Sequence, residues 1–248
     1  SDLMAALIIS VASVQAQKSQ VIAHRGYWKT AGSAQNSITS LQKADSIHCY
    51  GSEFDVWLAK DNKLVVNHDP VYKMKYMEYS KGDALTGLKL SNGENLPSLQ
   101  KYLEAGKKCN TKLILELKAH NSKKRETKAV QEILAMVKKM GLEDRMEYIT
   151  FSLHAMKEFI RLAPAGTSVF YLNGELSPKE LKDLGAAGLD YHMGVIKKHP
   201  EWIKEAHDLG LKVNVWTVDK AEDMKWLIDQ KVDFITTNEP IVAQDMLK

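Results

Sequence analysis

Short strand-like runs alternate with helical stretches along nearly the whole chain. Nine runs rich in β-branched, aromatic or leucine side chains cover residues 21–23, 52–56, 64–66, 113–117, 148–151, 168–171, 188–191, 212–216 and 234–236. Most are separated by stretches with apolar residues at helical spacing, such as Val130, Ile133 and Val137. Alternation of this kind is typical of parallel strands joined by crossover helices.

The number of strands favours a closed barrel. Eight parallel strands form a TIM barrel, so nine candidates leave one over. Residues 60–63, Lys-Asp-Asn-Lys, are typical of a tight turn, and we therefore predict that the second and third runs join directly without a helix. A doubly wound open sheet is the alternative, but no glycine-rich phosphate loop follows the first strand. The sequence thus predicts a single (β/α)8 TIM barrel.

Length and charge limit the classes of partner. The chain has 248 residues, and no linker, repeat or low-complexity block divides it, so we predict one barrel domain over residues 17–248. The formal net charge of +3 is too small to indicate a nucleic-acid partner. We expect a small-molecule substrate, and the sequence does not indicate an oligomeric state.

The first residues resemble the end of a secretory signal peptide. Residues 3–12 are apolar but too few to span a bilayer, and Val14 and Ala16 occupy positions −3 and −1 of a cleavage point after Ala16. We predict that residues 1–16 are a signal-peptide remnant and that the protein is exported to the periplasm or the exterior. The alternative is an apolar helix that covers the bottom of the barrel. Because no other stretch is apolar enough for a membrane helix, we expect no stable membrane insertion.

Two further features lie outside the strand and helix pattern. Cys49 and Cys109 are the only cysteines; without a zinc-type spacing we predict two buried free thiols, although export would also permit a disulfide. The longest irregular stretch, residues 70–97, is predicted to be a short lid beside the active site, because long loops in barrels are usually functional. A surface insertion without function is the alternative.

Polar residues gather where the predicted strands end. Glu53 and Asp55 are two apart on one strand, and Glu116 and Lys118 repeat that spacing on another, so each pair points to one face. Adjacent carboxylates inside a barrel repel one another and are costly to bury, and a bound cation removes both problems. Since barrel active sites form at the carboxyl ends of strands, the sequence predicts a cation site there.

The ordered motifs identify the chain as similar to a known family. They are His24-Arg25-Gly26, Asn36, Glu53-Phe54-Asp55-Val56, Val66-Asn67-His68-Asp69-Pro70, Glu116-Leu117-Lys118, Val215-Trp216-Thr217-Val218 and Thr237-Asn238-Glu239-Pro240. Each is weak alone, but the series in this order strongly resembles the glycerophosphodiester phosphodiesterase family from Val21 to Leu247. The resemblance implies a TIM barrel of the phospholipase C-like phosphodiesterase type. It also implies metal-dependent hydrolysis of glycerophosphodiesters to sn-glycerol 3-phosphate and an alcohol.

The resemblance also assigns roles to residues of this chain. It implies that Glu53, Asp55 and Glu116 bind one divalent cation, for which ligands that are all oxygen favour Mg²⁺ or Ca²⁺ over zinc. It implies that His24 and His68 are the catalytic acid and base, acting through a cyclic phosphate, without indicating which is which. The residues expected to contact phosphate or substrate are Arg25, Asn36, Lys118 and Trp216. For Trp216, simple filling of the barrel is the alternative.

One position departs from the family pattern and leaves alternative functions open. The family usually has Pro-Glu-Asn-Thr after the first strand, where this chain has Ala34-Gln35-Asn36-Ser37. We expect neutral Gln35 to weaken cation binding if the family glutamate supports the metal site. The alternatives are a phospholipase-like phosphodiesterase acting on lysolipids, for which residues 72–79 offer apolar side chains, and a catalytically silent binding protein of the same fold.

Overall fold

Eight parallel strands close into a barrel in a computed structural model of the protein, which describes residues 18–248. The described residues contain eleven strands, of which β3, β4 and β5 lie outside the barrel: β1 (Gln20–Ala23), β2 (Gly51–Leu58), β3 (Leu64–Val66), β4 (Val71–Tyr72), β5 (Lys75–Tyr76), β6 (Lys112–Leu117), β7 (Met146–Thr150), β8 (Ser168–Tyr171), β9 (Gly188–His192), β10 (Lys212–Trp216) and β11 (Phe234–Thr237). The order β1-β2-β6-β7-β8-β9-β10-β11 returns to β1, because β1 pairs with both β2 and β11. The predicted (β/α)8 TIM barrel is confirmed.

The surplus strand is placed as predicted. β3 pairs antiparallel with β2 through a tight turn, with Val56 opposite Val66, and no helix intervenes. The predicted signal-peptide remnant lies outside the described residues. Cys49 and Cys109 are buried free thiols, as predicted. No helix within residues 18–248 combines the length and apolarity needed to cross a membrane.

Helices connect most of the barrel strands, and several of them begin at serine N-caps. The helices are α1 (Ile38–Ser46), α2 (Gly82–Thr86), α3 (Leu99–Lys107), α4 (Lys123–Met140), α5 (Leu153–Leu162), α6 (Pro178–Leu184), α7 (Met193–Lys198), α8 (Glu201–Asp208), α9 (Ala221–Asp229) and α10 (Pro240–Met246). A serine side chain accepts a hydrogen bond from the first turn of five of them, at Ser37, Ser98, Ser122, Ser152 and Ser177. Such caps fix where each helix starts, and therefore the lengths of the loops that carry polar residues.

Two apolar layers hold the barrel. The outer layer packs the helices on the strands, and the inner layer fills the barrel with Ile22, Ile114, Ile149, Phe170 and Phe234. These side chains fill the middle of the barrel, as is usual for a TIM barrel.

The insertion at residues 70–97 packs against the β2–β3 hairpin. Met77, Leu85 and Leu96 are fully buried there against Trp57 and Val65. Its β4–β5 hairpin and the segment after α2 rise beside the carboxyl ends of the strands. The insertion therefore lies beside the candidate site, as expected for the predicted lid.

Candidate functional site

Three buried carboxylates from two neighbouring strands meet inside the barrel. Glu53 and Asp55 come from β2 and Glu116 from β6, where Asp55 and Glu116 are direct partners in the parallel register. One oxygen of each lies within 4.8 Å of the others, and their exposures are 3%, 1% and 7%. This cluster is the one group of metal-ligating residues found in residues 18–248.

The electrostatics of the cluster fit a divalent cation. Glu53 Oε1 and Asp55 Oδ1 are buried without a hydrogen-bond partner among the described residues. Burial, followed by the charge of Asp55, raises the pKa of Glu53 well above its usual range and that of Glu116 to about 8. Carboxylates in this state gain most from a hard cation, which partners the free oxygens and removes the repulsion.

Neighbouring groups orient the three carboxylates. The backbone N–H of Arg25 donates to Glu53 Oε2 at 2.9 Å, and Asn36 Nδ2 donates to Asp55 Oδ2 at 3.0 Å. Lys118 Nζ lies 2.9 Å from Glu116 Oε2. Although burial opposes it, the neighbouring Glu116 and Asp55 raise the pKa of Lys118, which keeps its positive charge in the site.

The loop after β1 presents Arg25 to the cavity. Arg25 has a left-handed backbone with φ 55°, and its Nε lies 4.0 Å from Asp55 Oδ2. The following Gly26 has φ 76°, and a Cβ there would lie 2.1 Å from Ser40 Oγ. The turn therefore requires glycine, and the strained Arg25 backbone is typical of functional sites.

His24 is held in one tautomer by Asn238. The Oδ1 of Asn238 accepts from Trp28 Nε1 at 2.8 Å, and its Nδ2 donates to Asp219 Oδ2 at 3.0 Å, which fixes the orientation of the amide. The same Oδ1 lies 2.8 Å from His24 Nδ1, so Nδ1 carries the hydrogen. Nε2 is left without one, 4.0 Å from Glu53 Oε2. Burial, with the charge of Arg25, lowers the pKa of His24, which favours a neutral ring that accepts a proton.

His68 follows β3 and has a carboxylate partner. Its Nδ1 lies 2.6 Å from Asp69 Oδ1, so this ring also donates through Nδ1 and directs Nε2 elsewhere. The Nδ1 partner of His68 is therefore a carboxylate, whereas that of His24 is a neutral amide.

Two adjoining cavities meet at the histidine site. The inner cavity, about 240 Å³, contains the acidic cluster residues Glu53 and Glu116 in its wall, together with His24. The outer cavity, about 500 Å³, opens beside the insertion, where Tyr72 lines it. Arg25 and His68 line both cavities. A substrate that contacts these two residues can therefore extend into both spaces.

Trp216 forms an apolar wall of the inner cavity. Its ring packs edge-on against Phe151 at 5.6 Å between centroids, and Nε1 donates to the backbone oxygen of Asp190 at 2.9 Å. Eight of the nine sequence-predicted site residues line one or both cavities, and the ninth, Asp55, belongs to the acidic cluster with Glu53 and Glu116. Asp190 and Asn238 are polar contributors to the site that sequence analysis did not select.

The remaining histidines take no part in lining either cavity. His120 Nδ1 lies 2.6 Å from the backbone oxygen of Lys118, and Nε2 accepts from the backbone N–H of Leu58 at 2.9 Å. His48, His154, His192, His199 and His207 are also outside the lining of both cavities. For His120 the hydrogen bonds indicate a structural role.

Gln35 contacts Arg25 rather than the acidic cluster. Arg25 Nη1 donates to Gln35 Oε1 at 2.7 Å, and Gln35 lines the outer cavity. The family glutamate, placed here, would act first on the charge and position of Arg25. An influence on cation binding would thus pass through Arg25.

Comparison with known proteins gives consistent matches over nearly the whole chain. Residues 24–242 match the sequence model of the glycerophosphoryl diester phosphodiesterase family. A glycerophosphodiester phosphodiesterase of Caldanaerobacter subterraneus subsp. tengcongensis is 27% identical over 238 residues, which are 90% of this chain and 95% of that protein.

Solved structures have the same barrel. The crystal structure of a glycerophosphodiester phosphodiesterase from Parabacteroides distasonis superposes with a TM-score of 0.91 at 53% identity, covering 93% of this chain and 97% of that one. An Oleispira antarctica phosphodiesterase in complex with the product sn-glycerol 3-phosphate has a TM-score of 0.79 at 22% identity, covering 92% of this chain and 96% of that one. The second likeness is one of fold alone.

Proposed function

The chain belongs to the glycerophosphoryl diester phosphodiesterase family, and we propose that it hydrolyses glycerophosphodiesters to sn-glycerol 3-phosphate and an alcohol. The observation that carries the proposal is the cluster of Glu53, Asp55 and Glu116, with one oxygen of each within 4.8 Å, in a cavity that His24 and His68 also line. Carboxylates for a cation and two proton-transfer groups are the parts that such a reaction needs.

The proposed cofactor is one Mg²⁺ or Ca²⁺ held by the three carboxylates. When bound, the cation would increase the acidity of the glycerol 2-hydroxyl and offset negative charge on phosphorus. Arg25 and Lys118 would bind the phosphate oxygens, and one amide hydrogen of Asn36 that Asp55 does not use remains for the same purpose. The three carboxylates, Arg25, Lys118 and one divalent cation together have one net positive charge. A phosphodiester monoanion neutralises it.

We assign His24 as the general base of the first step. Its Nε2 lacks a hydrogen and faces the cavity, and its neutral form is favoured by burial. It would take the proton of the glycerol 2-hydroxyl as that oxygen attacks phosphorus and a cyclic phosphate forms. The hydrogen bond between Asn238 and Nδ1 supports this acceptor role for Nε2.

We assign His68 as the general acid. It lines both cavities, so it stands where the bond between phosphorus and the leaving alcohol would cross from the inner to the outer space. In its protonated form, with Nδ1 bonded to Asp69, His68 would give the proton of Nε2 to the leaving oxygen as that bond breaks. In the second step water attacks the cyclic phosphate and yields a proton to His68, while His24 returns its proton to the 2-oxygen. The product is sn-glycerol 3-phosphate.

The test is an assay of purified protein with glycerophosphocholine and glycerophosphoethanolamine. We expect turnover. Chelator should abolish it, and added Mg²⁺ or Ca²⁺ should restore it. E53Q should lower turnover strongly. E143Q is the control and should leave turnover unchanged, because Glu143 is exposed in a 3₁₀ turn that is distant from Glu53 in the sequence. Turnover that chelator leaves unchanged would rule out the cation role, and no turnover with either substrate under any cation would rule out the activity.

The proposal extends to the location of the protein. Residues 1–16 contain the apolar run and the Val14/Ala16 spacing of a secretory signal, and an exported enzyme would meet glycerophosphodiesters released from phospholipids. Expression with this segment, followed by cell fractionation and N-terminal sequencing, is expected to give exported protein that begins at Gln17. Protein that is retained inside the cell with residues 1–16 uncleaved would contradict export without affecting the activity.

A further inference from the structure

Asp190 is a buried carboxyl group that the mechanism above does not use. It lies on β9, is 1% exposed, and lines the inner cavity. Its Oδ1 is buried without a hydrogen-bond partner among residues 18–248, and it does not belong to the acidic cluster. A buried polar atom left unpaired is costly, so its retention in a cavity wall points to a ligand that pairs it.

The inner cavity has a charged half and an apolar half. The charged half is formed by Glu53 of β2, Glu116 of β6 and residues that follow β1, β3 and β6, which are the groups proposed to bind the cation and the phosphate and to transfer protons. The opposite half, from β7 to β10, presents Ile149, Phe151, Leu172 and Trp216, with Asp190 as its acidic member. A glycerol unit whose phosphate lies in the charged half would extend its far carbon toward this apolar wall.

We infer that Asp190 binds the free primary hydroxyl of the glycerol unit and thereby selects fully deacylated glycerophosphodiesters. The inference rests on the function proposed above and deepens it. In an apolar wall that hydroxyl would otherwise lose its hydrogen bonds to water without replacement. Whether charged or neutral, the Asp190 carboxyl can bond a hydroxyl group.

The same geometry disfavours lysophospholipids. In a 1-acyl lipid the primary oxygen is esterified and carries an acyl chain. The inner cavity, about 240 Å³, is bounded at this end by Trp216 and Asp190, so an acyl chain would collide with the wall and leave Asp190 unpaired. The class of substrate is therefore set by a steric limit and a polar group together.

The kinetic test compares two diesters that differ by one hydroxyl. One contains glycerol, and the other contains propane-1,2-diol, which keeps the 2-hydroxyl that attacks phosphorus. The unmutated enzyme should prefer the glycerol ester by roughly 10- to 100-fold in kcat/KM, the range expected for one buried hydrogen bond. D190L should lose this preference by slowing on the glycerol ester alone, whereas D190N, which still donates and accepts, should keep much of it.

The matched control is E147Q. Glu147 is another buried carboxyl of the barrel, but it is bonded to Tyr50 and lines a different cavity. E147Q should leave the preference unchanged. If D190L slows both diesters by the same factor, the role of Asp190 is only structural and the inference fails.

Calorimetry separates this inference from the proposed activity. With Mg²⁺ or Ca²⁺ present, binding of sn-glycerol 3-phosphate and of propane-1,2-diol phosphate is measured on the unmutated protein and D190L. If the unmutated protein prefers the glycerol compound and D190L does not, the inference is supported, even when no diester is turned over. In that situation only the proposed activity fails. Equal binding of the two compounds by the unmutated protein would overturn the inference.

Discussion

Asn36 and Asp55 are joined by two hydrogen bonds. Asn36 Nδ2 donates to Asp55 Oδ2 at 3.0 Å, and Asn36 Oδ1 accepts from the backbone N–H of Asp55 at 3.2 Å. Asn36 has a left-handed backbone with φ 59°, which asparagine tolerates better than most residues. The loop after β1 is thereby fixed to a carboxylate of β2, and the cation cluster depends on this contact for its geometry.

We predict that N36A weakens cation binding by about 10- to 100-fold, the usual loss when a group that orients a metal ligand is removed. Titration calorimetry with Mg²⁺ and Ca²⁺ measures it directly. The matched control is N62A, because Asn62 also has a left-handed backbone, φ 67°, but lies exposed in the β2–β3 turn. Equal affinity of N36A and N62A would show that Asp55 needs no support from Asn36.

We predict that the stability of the cation-free protein falls as pH rises toward 8. Burial, with Asp55 next, raises the pKa of Glu116 from 4.5 to about 8, so the folded state holds a proton that the unfolded state releases within that range. This stabilisation is complete below about pH 4.5 and is lost as pH rises through about 8, with a slope of at most about 1.4 kcal/mol per pH unit for one proton. Denaturant unfolding with chelator, at several pH values, measures the slope.

E116Q should reduce that slope between pH 6.5 and 8, while the raised pKa of Glu53 leaves part of it. The lowered pKa of His24 acts in the opposite direction, because a neutral folded histidine costs stability as pH falls below its ordinary value of 6.5. The comparison is therefore made above that value. Saturating cation should also flatten the slope in the unmutated protein, since it replaces the proton. An unchanged slope in E116Q would contradict the assignment of the proton to Glu116.

The strand alternation and the site motifs could be predicted from sequence because both are local patterns. Strand runs, the direct β2–β3 connection and the pairs Glu53/Asp55 and Glu116/Lys118 are each contained in a few consecutive residues. The register that sets Asp55 beside Glu116 is tertiary, but parallel pairing of neighbouring strands makes it a natural consequence of the barrel.

Asp190 and Asn238 could not be identified in the same way. Asp190 is the middle residue of β9, and Asn238 is the residue that follows β11. Asn238 acquires its role by meeting His24, which is 214 residues away, and Asp190 by facing a cavity built by other strands. For Asn238 the available signal is its place directly after a strand, which a turn before Pro240 explains equally well. The Gln35 contact with Arg25 likewise depends on the conformation of a loop.

We predict that Q35E acts mainly on phosphate binding. Arg25 Nη1 already donates to Gln35 Oε1 at 2.7 Å. A carboxylate at this position would pair with the guanidinium of Arg25 and compete with the phosphate for it. KM for glycerophosphodiesters and the dissociation constant of inorganic phosphate should rise together, with a smaller change in cation affinity. Tighter cation binding with unchanged phosphate binding would instead support the expectation that this position serves the metal site directly.

The last prediction separates the two histidines by the acidity of the leaving group. H24A and H68A should each lower turnover of glycerophosphocholine by roughly 10²- to 10⁴-fold, the usual contribution of a positioned proton-transfer group.

A nitrophenyl diester that keeps the glycerol 2-hydroxyl releases a stable phenolate, which needs no acid. Because His68 lines both cavities and has Asp69 as partner, H68A should recover much of its rate in the cyclisation step of this substrate. Because Asn238 leaves Nε2 of His24 free to accept a proton, H24A should not recover. The burst of nitrophenolate in stopped-flow experiments isolates this step from the later opening of the cyclic phosphate by water. Recovery in H24A but not in H68A would exchange the two assignments. Near-normal turnover of glycerophosphocholine by both variants would exclude the two-histidine mechanism altogether.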